Sequence, residues 1–111
     1  MVELYSSIIE QMSDIQDQFK VLRQVAKNNK HSQRTMAKNL GFSLGKLNYC
    51  LNALKNKGYV KIANFKKNPK KSNYFYILTP KGIKEKVNLT IKFMERISKE
   101  YEDLKKDLDQ K

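Results

Sequence analysis

Apolar positions in the first third of the chain recur at helical spacing. Ile15, Phe19, Leu22 and Ala26, with Val25 beside them, predict a helix over about 14–28. Ser13-Asp-Ile-Gln16 in front of it has the form of a capping box, and Asp14 and Asp17 fall in the first turn, where the helix dipole favours acids. The Asn28-Asn29 pair ends it. Residues 1–12 are weakly patterned, and Leu4, Ile8 and Ile9 there fit a short helix or a docking arm. Ser32 is placed to cap a second helix running to about Leu40, with Met36, Ala37 and Leu40 as its buried face. Gly41 supplies the left-handed residue that stops it. Ser43 then caps a third helix over about 44–56, with Leu47, Cys50, Leu51 and Leu54 inward and Asn56-Lys57-Gly58 closing it.

After Gly58 the period changes to two. Residues 59–64 read as a strand and residues 74–78 as its partner, so 65–73, with four lysines around Pro69, is the hairpin loop. Thr79-Pro80 opens a last helix, with threonine at the cap and proline at the first helical position. This helix has no breaker after Gly82 and runs to about Gln110, roughly 40–45 Å at ~1.5 Å per residue. Ile83, Val87, Met94, Ile97, Tyr101, Leu104 and Leu108 occupy the two seam positions of one heptad frame, broken only by Thr90. A helix that long outruns the core available to it. Its far half calls for another surface, most simply a second copy of itself; the plainer reading is a solvated tail.

Within this pattern, residues 33–52 carry the spacing of a helix-turn-helix. Ala37 is small enough for a close helix crossing, Gly41 makes the turn, and Leu47 and Cys50 face back into the core. The expected fold class is mainly α with a small β-hairpin: a winged helix-turn-helix with a long C-terminal dimerisation helix. The expected division is an N-terminal arm (1–12), a winged helix-turn-helix domain (13–79) and an oligomerisation helix (80–111).

Charge sharpens this reading. The 111 residues carry a formal net charge of +12. Residues 1–17 hold four acids and no Lys or Arg, residues 18–84 hold sixteen Lys and Arg and no Asp or Glu, and residues 85–111 are balanced. Soluble surfaces normally intersperse the two signs. A lysine-rich composition by itself does not explain why acids stop at Asp17 and resume at Glu85. A phosphate polyanion does, because counterion release rewards such a surface.

Two segments resemble the MarR family of regulators. The stretch Phe42-Ser-Leu-Gly-Lys-Leu-Asn-Tyr-Cys-Leu-Asn-Ala-Leu-Lys-Asn-Lys-Gly-Tyr-Val resembles their recognition helix and following strand. Tyr74-Phe-Tyr-Ile-Leu-Thr-Pro-Lys-Gly-Ile resembles the wing exit, with its leucine-threonine-x-x-glycine signature. The likeness is greatest to the short, exopolysaccharide-associated MarR-type regulators and covers about 13–111; PadR-type regulators share the wing exit and the long last helix. The resemblance implies a homodimeric bacterial transcription factor, a repressor, on a pseudo-palindromic operator of double-stranded DNA. A winged helix places its third helix in the major groove. Lys46, Asn48, Tyr49 and Asn52 are then the expected base readers, with phosphate contact or plain solvation as the simpler role of each. Gly45 allows close approach. Ser32, Gln33, Arg34 and Ser43, at helix starts, suit the DNA backbone, and Lys66, Lys67, Lys70 and Lys71 form a wing along the backbone or minor groove. Val87, Met94, Ile97, Tyr101, Leu104 and Leu108 are the expected dimer contacts.

Other chemistry finds little support. His31 is the only histidine and has no metal-ligand neighbours in sequence, and Cys50 is the only cysteine, placed on an inner face. No phosphate loop, paired carboxylates or nucleophile-base pair is present, so neither an enzyme, a metal nor a cofactor is expected, and nothing marks an effector site. No apolar run spans a membrane and the start lacks the features of a signal peptide, so a cytoplasmic, nucleoid-associated protein is expected. The alternative is a non-catalytic assembly module, its long helix recruiting a protein and its basic face binding RNA or anionic lipid.

Overall fold

The computed structural model describes the backbone of residues 2–27, 32–63 and 75–110, and the side chains of 14–27, 32–63 and 75–110. The element order is α1 (Val2–Lys27), α2 (Gln33–Leu40), α3 (Leu44–Asn56), β1 (Val60–Ala63), β2 (Phe75–Leu78) and α4 (Pro80–Asp109). This is the winged helix-turn-helix order expected from the sequence, with a long last helix. The strands pair antiparallel, from Val60 opposite Leu78 to Ala63 opposite Phe75.

Local chemistry sets most of the boundaries. The Ser32 hydroxyl accepts the Thr35 amide at 3.2 Å, and the Ser43 hydroxyl accepts the Lys46 amide at 3.1 Å. Each fills one of the free donors at a helix start. Thr79 does the same for α4, its hydroxyl accepting the Gly82 amide at 3.0 Å. At the other ends, Gly41 (φ 69°) and Gly58 (φ 79°) adopt the left-handed conformation. The amide after each, Phe42 or Tyr59, then bonds back to Ala37 or Leu54 at 2.8 and 2.9 Å, closing α2 and α3 with the same motif.

Two expectations about α1 need correction. The helix begins at Val2, not at 14, and passes through Ser13-Asp14 without a break, so the expected arm at 1–12 is continuous with the rest of α1. In sequence, Leu4, Ile8, Met12 and Ile15 continue one helical stripe across that point. Ser and Asp inside a helix cost well under 1 kcal/mol each, so a capping signal within a continuing stripe does not start a helix. The buried face is also rotated. Val21, Leu22 and Val25 are buried, whereas Ile15 is 45% exposed and Ala26 is exposed. The stripe containing Phe19 turns instead toward α4, where Phe19 stacks on Phe93 with ring centroids 4.8 Å apart.

One core results, made of Val21, Leu22 and Val25 from α1, Met36 and Ala37 from α2, Leu47, Cys50, Leu51 and Leu54 from α3, and Val60 and Tyr76 from the hairpin. Leu40, expected in it, packs at its edge. The first half of α4 is tied to this core. Leu89 packs against it, Tyr59 donates to the Glu85 carboxylate at 2.9 Å, and Gly82 is buried beneath the Tyr59 backbone. Residues 94–110 are all exposed. The molecule is correspondingly long, 64 × 30 × 25 Å, with a radius of gyration of 17.4 Å. A compact chain of this length has a radius of about 13 Å.

Candidate nucleic-acid interface

The candidate surface is built on α3, which has two unlike faces. Leu47, Cys50, Leu51 and Leu54 are at most 2% exposed, which fixes the rotation of the helix about its axis. At ~100° per residue, Tyr49 and Asn52 then lie at the centre of the outer face, with Lys46 on one flank and Asn48 on the other. All four are exposed, Tyr49 to 60%. Gly45 joins them, and a Cβ there would meet no atom within 4 Å, so the surface is open at that point. Asn56 is exposed on the same outer face. In sequence Asn56 reads only as part of the helix end, and the 3.6-residue repeat from Tyr49 and Asn52 is the signal that places it here.

Lys46 differs from its neighbours. Its ammonium is 3.1 Å from the Asp17 carboxylate on α1 and 4.3 Å from the centroid of the Phe42 ring. Asp17 is a second residue whose part in this surface is hidden in the sequence, where its place in the first turn indicates only a helix-dipole role. Its position as the last acid before the acid-free block was the available signal.

The expected backbone-contacting residues fall into two groups. Ser32, Arg34 and Ser43 are exposed at helix starts; each serine oxygen already accepts a capping amide, and Ser43 retains its proton to donate. Ser32 also shares a 3.0 Å hydrogen bond with the Thr35 hydroxyl. Gln33 is half-buried, and its side-chain amide donates to the Tyr76 hydroxyl at 3.3 Å, linking α2 to the hairpin. The wing residues Lys66, Lys67, Lys70 and Lys71 lie outside the described residues, as does His31.

The remaining chemistry is quiet. Burial pushes the Cys50 thiol up, the nearby Asp17 charge adds to this, and Lys46 opposes it. A thiol held protonated in this way is a poor nucleophile. The Tyr59 hydroxyl is also held above its ordinary value, chiefly because it donates a hydrogen bond to Glu85. Among the described residues no group of His, Cys, Asp and Glu is placed to hold a metal ion, and no helix is long and apolar enough to cross a membrane. Among the described residues, two open clefts lie between α4 and the rest. One, of 370 Å³, is bounded by Val25, Ile77, Ile83 and Val87; the other, of 230 Å³, by Ile15, Leu22, Tyr59 and Leu89.

Along α4, Ile83, Val87, Ile91, Met94, Ile97, Tyr101, Leu104 and Leu108 are each 51–70% exposed. All six expected dimer residues are among them, on one uncovered apolar stripe.

Comparison with known proteins agrees with this architecture. Residues 18–61 match the family model described as winged helix-turn-helix DNA-binding. No curated protein sequence matched the chain. Among solved structures, a mutant of S. aureus MepR superposes with a TM-score of 0.65 at 19% identity, covering 98% of this chain and 91% of that one. Streptococcus pneumoniae FabT, solved in complex with DNA, gives 0.59 at 19% identity, covering 91% and 78%. Staphylococcus aureus MarR, solved with salicylate and kanamycin, gives 0.57 at 19% identity, covering 88% and 70%. With α3 exposing one polar face and burying the other, residues 18–61 match the winged helix-turn-helix DNA-binding family model, and the chain takes the winged helix-turn-helix fold seen in the MarR and MepR structures.

Proposed function

We propose that the protein is a homodimeric transcriptional regulator, a repressor, that binds a pseudo-palindromic operator and acts in the cytoplasm by occupying DNA, without catalysis. Each protomer lays α3 in the major groove, amino-terminal end first. Asn48 and Asn52 suit the paired donor and acceptor of adenine, Lys46 suits the acceptors of guanine, and Tyr49 suits a thymine methyl or a phosphate. Ser32, Arg34 and Ser43 hold the backbone. Gln33 supports them from its contact with Tyr76, and the wing lysines follow the backbone or the minor groove. The MarR-type subtype associated with exopolysaccharide genes belongs to this proposal, whereas the DNA-binding domain and the fold stand without it.

The observation that carries the reading is the outer face of α3: three polar side chains, a tyrosine and an open glycine, exposed together on a helix whose opposite face is sealed. Site selection from a random duplex library tests it. The wild-type protein enriches one pseudo-palindrome, and Asn52→Ala lowers its preference for that sequence by about 1–3 kcal/mol at the base pair read. Binding that depends on salt but not on sequence, and is equal for RNA, would favour the basic assembly module instead.

A further inference from the structure

Asp17 is out of place on electrostatic grounds. It is the last carboxylate before the acid-free stretch 18–84, and it stands at the flank of the helix proposed to meet phosphates. An acid there weakens binding to any polyanion, so it must contribute something other than affinity. Its side chain is 15% exposed while that of Lys46 is 47% exposed, so α1 holds the anion in place and the lysine comes to it. The Phe42 ring, in the turn before α3, offers the same ammonium its negative face from 4.3 Å. Asp17 sits on α1, Phe42 in the turn and Lys46 on α3, and all three meet at one nitrogen.

An ammonium has three donors and no acceptor. On a free four-carbon stem it is a mobile point charge that serves any phosphate within reach. Held on one side by a carboxylate and on another by a ring face, it keeps one direction open. We infer that Asp17, helped by Phe42, is a positioning residue for base recognition: it fixes Lys46 so that its free donor meets one acceptor in the groove instead of ranging over the phosphates. Asp17 lowers affinity for DNA in general and raises discrimination between sequences. This inference rests on the DNA-reading function proposed above.

The test measures fluorescence anisotropy on two duplexes across 50–200 mM salt, concentrations over which phosphate contacts respond strongly. One duplex is that enriched by the wild-type protein from a random library; the other is its scramble, of equal length and composition. Asp17→Asn is expected to bind the scramble more tightly and to lower the ratio of the two affinities by about fivefold or more, near the lower end of a base contact's worth. Its salt slope on the scramble steepens by about one, because the released lysine takes up a phosphate. Asp17→Glu, which keeps the charge, retains the ratio within about twofold. In a Lys46→Met background, Asp17→Asn shifts both duplexes by the same factor. An unchanged ratio in Asp17→Asn, or an equal fall in the ratio with and without Lys46, would overturn the inference while leaving the DNA-reading function standing. A wild-type protein that binds no duplex, or all duplexes equally, would bring down both.

Discussion

Gly82 shows how one absent methyl group sets the joint between the winged helix-turn-helix and α4. A Cβ there would overlap the Tyr59 carbonyl oxygen and lie 2.8 Å from the carbonyl carbon. Both atoms are backbone, held by the 3.0 Å bond from the Thr79 amide to that same oxygen, so neither can move aside cheaply. The glycine of the leucine-threonine-x-x-glycine signature is thus explained by space, as its threonine is by capping. Gly82→Ala is expected to destabilise the fold by about 2–3 kcal/mol, even though alanine is ~1 kcal/mol the better helix former. A thermal melt followed by circular dichroism would read this as a fall of about 10–15 °C. Gly45→Ala is the matched control. Its Cβ meets nothing within 4 Å, so the same substitution should raise stability by up to about 1 kcal/mol. A fall in both melts of similar size would refute the assignment of Gly82 to close packing.

The elements most legible in the sequence are those whose ends are decided locally. The starts of α2, α3 and α4 follow from Ser32, Ser43 and Thr79, and the stops of α2 and α3 follow from Gly41 and Gly58, because each motif closes within six residues. What escaped was set by other elements. α1 carries two apolar faces, and only the arrival of α2, α3 and α4 decides that Val21 and Val25 enter the core while Phe19 goes to Phe93. The pairing of Asp17 with Lys46 joins residues far apart in sequence, and no spacing rule reaches that far. The candidate site was legible as an outer face and not as a geometry. At this scale the hairpin makes its own prediction. If the lysines between β1 and β2 touch phosphates, changing Lys66, Lys67, Lys70 and Lys71 to Gln weakens all duplexes by a common factor. The slope of log affinity against log salt would then drop by about 0.9 for each phosphate that is no longer neutralised. A salt slope equal to that of the wild type would remove the wing from the interface.

The whole molecule argues for a partner through its surface. A folded chain of 13.1 kDa is expected to expose about 6,400 Å², whereas this one exposes 8860 Å². The far half of α4 carries its apolar stripe into solvent, with none of the described core residues beneath it. A stripe of eight large apolar residues costs solubility unless it is covered. Its heptad spacing makes it complementary to itself, so a second copy is the simplest cover. Such a pair would carry two α3 helices on one frame. Linkage of two half-sites then supplies affinity that neither half has alone, commonly by 10²–10⁴-fold. Ile97→Glu with Leu104→Glu places like charges in the middle of the seam and touches no core residue. Sedimentation should show a monomer for this variant and a dimer for the wild type, with the melting temperature of the winged helix-turn-helix core kept to within a few degrees. Its affinity for the full operator should fall by that same 10²–10⁴-fold, while its affinity for a single half-site stays equal to that of the wild type. A variant that stays dimeric would place the interface elsewhere. A monomer with undiminished operator affinity would show that each reading head works alone.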